Sequence, residues 1–336
     1  MKSKISLKTF VRTAVAVLLL VLIYGFLFPF PWEWGDRKRC VTLLEYQPRY
    51  LITANGADSL YFTGFDTQHQ VLTGLSLQPC TYGTASYGTA FWYGPWPWIH
   101  GCQGYLKTSA GIVNPAVNIG SLQKMLPELL SRQIIRQQER LEKLEKESQH
   151  LAYYMRTHTI VDDGYNQMGD YESRFLQIRK QEEAIMKTLQ QLLQSGKALV
   201  ADNSLYRTFT PPSDTSVVLV DTCRLLSTEK GIATLQTSSC QMPEGARSIA
   251  RPWFNSLQWM KEGSRHMVSF TAFHEGYIHM SPVKKLKASS IPGWIEKRQG
   301  AFSSSLPLLQ GAVGGPVFDQ AGILVGMMDN NRIIPF

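Results

Sequence analysis

At 336 residues the chain has room for a membrane segment plus one or two domains with a sizeable core. It is 44% hydrophobic and 18% charged, ordinary values for a globular protein. The net charge of +8 invites a nucleic-acid reading, but much of the excess flanks an apolar N-terminal run, and no RNP-like, zinc-finger or helix-turn-helix signature appears; a nucleic-acid partner is therefore excluded from the expectations.

Residues 1–12 form a basic tail carrying Lys2, Lys4, Lys8 and Arg12. Residues 13–34 are expected to be a transmembrane signal-anchor. Ala14 to Phe28 carry no charge, and the apolar character continues through Pro29, Phe30, Pro31 and Trp32. A full span needs about 20 residues, and Trp32 and Trp34 stand where interfacial aromatics belong. A cleaved signal peptide shares this pattern, but no small-x-small site follows the run, and Cys40 lies too far behind it for a lipobox. Four basic residues before the run outweigh Arg37, Lys38 and Arg39, which Asp36 offsets. That weak bias makes the protein single-pass, with its body periplasmic or extracellular. Cys80 with Cys102 and Cys223 with Cys240 are candidate disulfides in such a compartment, with Cys40 left over. No Cys/His spacing suggests zinc, and no cofactor is expected.

Residues 41–118 read as β-rich. Asn55-Gly56 marks a turn, so the flanking strands are either an added β-unit or the opening of a barrel. Trp92, Tyr93, Trp96 and Trp98 form an aromatic cluster stiffened by Pro95 and Pro97. It is a candidate binding surface, or equally a hydrophobic plug.

Residues 121–196 change character and predict an α-helical coiled-coil hairpin. Leu130, Ile134, Gln137, Leu141, Leu144, Ser148, Leu151 and Met155 step alternately by four and three. After a polar linker, Tyr171, Phe175, Ile178, Glu182, Ile185, Leu189 and Leu192 repeat the pattern, and Gly196 supplies a C-terminal cap. Arms of about thirty residues make a rod of roughly 45 Å. So polar an exterior points to an arm for a protein partner, and the same seam admits a homo-oligomer.

The remaining motifs carry chemistry. Gly311-Ala312-Val313-Gly314-Gly315-Pro316 is followed by an apolar strand, a turn and a second apolar strand, Gly322 to Met327. Closely spaced glycines let the backbone turn tightly and aim consecutive N–H groups at one point, as an oxyanion hole requires. This segment resembles the nucleophile loop of trypsin-like (chymotrypsin-fold) serine proteases. Upstream, Gly88-Thr89-Ala90-Phe91-Trp92 and Tyr105-Leu106-Lys107-Thr108-Ser109-Ala110-Gly111-Ile112-Val113 resemble the family's early strand and the segment bearing its general base. Ser213 to Val220 resemble, more loosely, the acid segment.

The resemblance implies a mainly β, trypsin-like double β-barrel, interrupted by the helical hairpin and completed within residues 197–336. It also implies that the triad positions are degenerate. Gly111 stands where the family has its His, Val313 where it has its Ser, and Ser216 at the acid position, or Asp214 if the strands slip by two. Gly cannot accept a proton and Val has no atom to attack a carbonyl. The expectation is a catalytically inactive trypsin-like protein with a vestigial oxyanion loop at Gly311, Val313, Gly314 and Gly315. It would hold a protein partner through the vestigial cleft or the hairpin. The competing expectation is an active protease drawing on Ser303, Ser304 or Ser305 with His266, His274 or His279; His274-Glu275-Gly276 is no HExxH zinc motif. A third is a structural coiled-coil envelope protein.

Overall fold

The structure, a computed structural model, describes residues 11–20, 34–56, 58–79, 85–94, 103–113, 117–159, 165–210, 219–250, 256–273, 287–305, 310–330 and 332–336. Two compact units divide the chain: Met1–Tyr46 with Ala85–Asn114 and Leu205–Phe336, and Gln47–Thr84 with Pro115–Ser204.

The first unit is mainly β and holds two six-stranded barrels, as in a trypsin-like fold. One barrel is made from β1 (Val41–Gln47), β6 (Ser86–Gly94), β7 (Tyr105–Ser109), β9 (Leu205–Thr210), β10 (Leu219–Glu229) and β11 (Ile232–Thr237). Alternate residues point inward, as β9 shows with Tyr206, Thr208 and Thr210 buried and their neighbours half-exposed. Leu44, Trp92, Leu106, Tyr206, Ala233 and Leu235 fill the interior. The other closed barrel runs β13 (Arg265–Ala272), β14 (Ser289–Arg298), β15 (Ala301–Ser304), β18 (Arg332–Pro335), β17 (Leu324–Asp329) and β16 (Pro316–Asp319), around Val268, Phe270, Ile295, Val317 and Val325.

Two helices precede the barrels. Residues 11–20 are helical, labelled α1, and Leu18, Leu19 and Leu20 are exposed on it. α2 (Trp34–Arg39) packs against β13 and β14 and leads directly into β1. Among the described residues no helix is long and apolar enough to cross a membrane. Of the expected anchor, residues 21–33 lie outside the described residues.

The second unit contains the helical insertion. α4 (Ile119–Thr157) and α5 (Tyr165–Ser195) pack antiparallel, since Gln137 meets Glu182 while Glu145 meets Arg179 further along. Asn118 caps α4, its side chain accepting from Ser121 N–H at 3.1 Å, and the helix runs on through Pro127. Gly196 closes α5 with φ +63°, a left-handed turn that favours glycine. The strands left open by the sequence join this unit. β2 (Tyr50–Thr53) pairs with β3 (Leu60–Phe62) and β8 (Leu199–Asp202), and β4 (Gly64–Asp66) pairs with β5 (Val71–Thr73). Tyr50, Ile52, Leu60 and Phe62 bury themselves against Leu126, Leu130, Ile185 and Leu189, so the root of the hairpin rests on a sheet rather than standing free.

Along the seam Leu130, Gln137, Leu151, Phe175, Glu182, Ile185, Leu189 and Leu192 are buried. Tyr171 and Ile178, expected there, are 51% and 42% exposed. A straight helix drifts about 20° per heptad against a 3.5-residue repeat, which carries Tyr171 at the end of the seam off it; Ile178, between buried Phe175 and Glu182, is not explained by that drift. The seam's polar break is internally satisfied: the Gln137 amide donates to the Glu182 carboxylate, and Arg140 pairs with the same carboxylate at 2.8 Å. Truncation by Glu182→Ala takes the carboxylate from the buried Gln137 amide, leaving it the Glu182 carbonyl at 3.2 Å, and should lower stability by about 1–3 kcal/mol. Leu at both 137 and 182 should cost less than that single change, because no orphaned polar group remains. Urea unfolding followed by helical circular dichroism distinguishes the two outcomes.

The expected Cys223–Cys240 disulfide is not formed; both thiols are free. Cys223 points into the first barrel's core, whereas Cys240 sits on an exposed turn beyond β11. Cys80 and Cys102 lie outside the described residues. Burial pushes the Cys223 thiol up to about 12. Because the thiolate is the reactive species, Cys223 stays neutral and inert at pH 8. Iodoacetamide on the folded protein should therefore modify Cys240 and spare Cys223 in peptide mass maps. Equal modification would contradict the barrel packing. The same shift makes the fold lose stability as pH climbs from the ordinary thiol range towards 12.

Candidate functional site

Where β7 leaves the first barrel it becomes a single helical turn, α3 (Ala110–Val113). Thr108 and Ser109, at the end of β7, are buried, and Ile112 and Val113 drop into the barrel core, which leaves Gly111 on the exposed side of the turn. The Ser109 hydroxyl donates to the Asp329 carboxylate, at the end of β17, in a short hydrogen bond, and accepts from Gly111 N–H at 3.1 Å. A Cβ on Gly111 would stand 3.3 Å from both Ser109 Oγ and Asp329 Oδ1. Gly111, which the resemblance aligns with the family's base, therefore looks onto a hydroxyl and a carboxylate.

The glycine loop reaches the same place from the second barrel. A 3-10 turn at Gln310–Ala312 leads into Val313, whose carbonyl accepts from Thr89 N–H at 2.8 Å. Thr89 Oγ1 donates to the Gly311 carbonyl at 2.6 Å and accepts from Phe273 N–H at 3.2 Å. Gly314 N–H donates to the Met328 carbonyl, next to Asp329, at 2.7 Å. A Cβ on Gly88 would meet both Ile112 and the Val313 carbonyl. Ile112 of α3 and Val313 of the loop thus both lie against Gly88, which sets the segments carrying Gly111 and Val313 side by side. Half-buried Val313 packs against the first barrel's apolar cluster.

The glycines answer a steric demand. Side chains at Gly311 and Gly314 would collide with the Phe273 carbonyl and with the Thr89 carbonyl and Thr108 hydroxyl, and one at Gly315 would stand 2.7 Å from the Thr271 carbonyl. Gly314 also takes φ +84°. A 3-10 turn closes i→i+3 bonds, which engages amide groups that an oxyanion hole must leave pointing at substrate.

The other sequence expectations place as follows. Ser216 and Asp214 lie outside the described residues, as do Trp96, Trp98, His274 and His279. Trp92 is fully buried in the first barrel, which assigns it to the plug and not to a surface. Tyr93 is half-buried, with the Lys107 ammonium 4.4 Å from its ring centroid and Phe336 stacked on it. Ser304 and His266 pair with opposite sides of Ile295, so β14 separates them by roughly 10 Å, too far for proton transfer. Ser303 is exposed and donates to the Glu296 carbonyl. Ser305 Oγ accepts from Trp294 N–H. Asp329 and Ser109 were not singled out in the sequence. The only signal for Asp329 is a carboxylate closing an otherwise apolar strand of the nucleophile segment.

No protein-family model matches the chain, and no curated protein matches it. Among solved structures, the crystal structure of Deg5 is similar at 9% identity and a TM-score of 0.37, over 95% of this chain and 90% of that one. So loose an overlap leaves the fold assignment resting on the two barrels.

Gly314→Ala should destabilise the first unit by about 3 kcal/mol or more, since both the left-handed backbone and the carbonyl contact are violated. Gly263→Ala, at φ +75° with open space around it, should cost about 1 kcal/mol. Thermal melts of the two variants check this; equal losses would mean that the loop is not tightly held.

Proposed function

We propose that the chain is a catalytically inactive, trypsin-like protein, anchored to the membrane through residues 13–34, that holds a protein partner at the cell envelope. One observation carries the loss of chemistry. Gly111 and Val313 lie on adjoining segments that meet at Gly88, one at the end of the base segment and the other within the glycine loop, and neither residue has an atom that accepts a proton or attacks a carbonyl. The hydroxyl of Ser109, beside Gly111, donates to the Asp329 carboxylate and accepts from Gly111 N–H.

Binding falls to the hairpin. The arms expose Tyr153 and Tyr171, at 71% and 51%, together with Ile135, Leu176 and Ile178. Tyrosines are favoured contact residues, since they offer area at low entropic cost.

A fluorophosphonate probe tests the inactive reading. The full chain should remain unlabelled, and Ser303→Ala, Ser304→Ala and Ser305→Ala should change nothing. A labelled serine that substrate protects would overturn it. Tyr153→Glu with Tyr171→Glu should weaken partner capture by about tenfold or more while helical content stays intact. Point changes are used because deleting residues 121–196 would strip Tyr50, Ile52, Leu60 and Phe62 of their cover.

A further inference from the structure

The outer face of the β13–β14 pair carries an apolar patch beside the entry of the N-terminal segment. Along β13, Val268 and Phe270 face the barrel core, so Met267, Ser269 and Thr271 face outward. Their partners on β14 are Trp294, Pro292 and Ser290. α2 covers part of this face: Arg37 is buried there, donating to Ser269 Oγ at 2.5 Å with its guanidinium over the Phe318 ring. One step further along the strand, about 7 Å away, the cover stops. Met267 and Trp294 stand opposite each other, 41% and 48% exposed, with Pro292 exposed beside them. An Arg265–Glu296–Arg298 ion-pair cluster borders the patch.

We infer that this face rests on the surface of an anionic lipid bilayer, with Trp294 and Met267 entering the headgroup region. The inference rests on the membrane-anchor reading and adds an orientation to it. The occupant follows from where the chain goes. The apolar run through Trp32 ends just before α2 begins at Trp34, and α2 is pinned to this face by buried Arg37. A bilayer holding that run lies within a few residues' reach of Trp294. Charge agrees, because Lys38 and Arg39 are exposed at the end of α2, where anionic headgroups attract them. Tryptophan is the residue enriched at that depth.

The test uses the full chain reconstituted in phosphatidylcholine/phosphatidylglycerol vesicles, with and without brominated phosphatidylcholine. Subtracting the emission of Trp294→Phe from that of the unaltered protein isolates Trp294. Brominated lipid should reduce that difference at least twofold. A chain that fails to float with vesicles overturns the anchor and this orientation together. A chain that floats while Trp294 keeps its full emission overturns the orientation alone. If Trp294 is also shielded from acrylamide in that case, the face belongs to a protein contact. Circular dichroism of the Trp294→Phe variant establishes that its fold is retained.

Discussion

The close approach of the Gly311–Gly315 loop to strands of both barrels is the contact on which the first unit depends. Thr89 in the first barrel holds the Gly311 and Val313 carbonyls, while Phe273 and Thr271 of the second barrel leave no room for a Cβ at Gly311 or Gly315. Gly314 is wedged between the Thr89 carbonyl and the Thr108 hydroxyl. The loop is therefore a seam between barrels before it is anything else. Its glycines would be required whether or not a carbonyl was ever cleaved beside it. This separates two questions that the motif runs together. The glycine pattern reports on packing, and chemistry rests on the positions that packing leaves open, of which Gly111 is the clearest.

At Gly111 the structure offers a hydroxyl and a carboxylate. Ser109 links Asp329 to the amide of Gly111, so each polar group at this corner has a partner within the chain. A hydrogen bond to an ionised carboxylate is among the stronger neutral-to-charged contacts. It joins the end of β7 to the end of β17, and so ties the barrels at a second point. The corner works as a structural bond between the barrels.

Periodicity made the helical insertion legible. Leu130, Leu151, Ile185 and Leu189 lie in the seam because a 3-4 step puts them on one face whatever surrounds them. Residues whose fate depends on long-range packing were less readable. Tyr50 and Phe62 read equally as a barrel opening or as an added sheet, since only their docking on the hairpin root decides it. Cys223 and Cys240 are close in sequence, but strand alternation turns the first inward and a turn carries the second out. Trp92 reads equally as a surface aromatic or as a plug in its Trp/Tyr cluster, and only its direction on β6, into the first barrel's core, decides between them. Asp329 escaped notice because a carboxylate at a strand end has no periodic signature.

Arg37 shows how the N-terminal segment is coupled to the rest of the unit. Burial lowers its guanidinium from the ordinary value, and burial raises the nearby Asp319 carboxyl, so desolvation outweighs their mutual attraction in both. Asp319 is held by Ile323 N–H at 2.8 Å, and Arg37 by the Ser269 hydroxyl and the Phe318 ring. An arginine remains protonated even so, and a buried cation is tolerated only where such partners are fixed in place. That requirement converts α2 from a surface helix into a strut. It runs into β1 of one barrel while its side chain is locked to β13 and β16 of the other. The N-terminal chain therefore enters the unit in one orientation set by the second barrel, and whatever holds that chain also orients the segments carrying Gly111 and Val313.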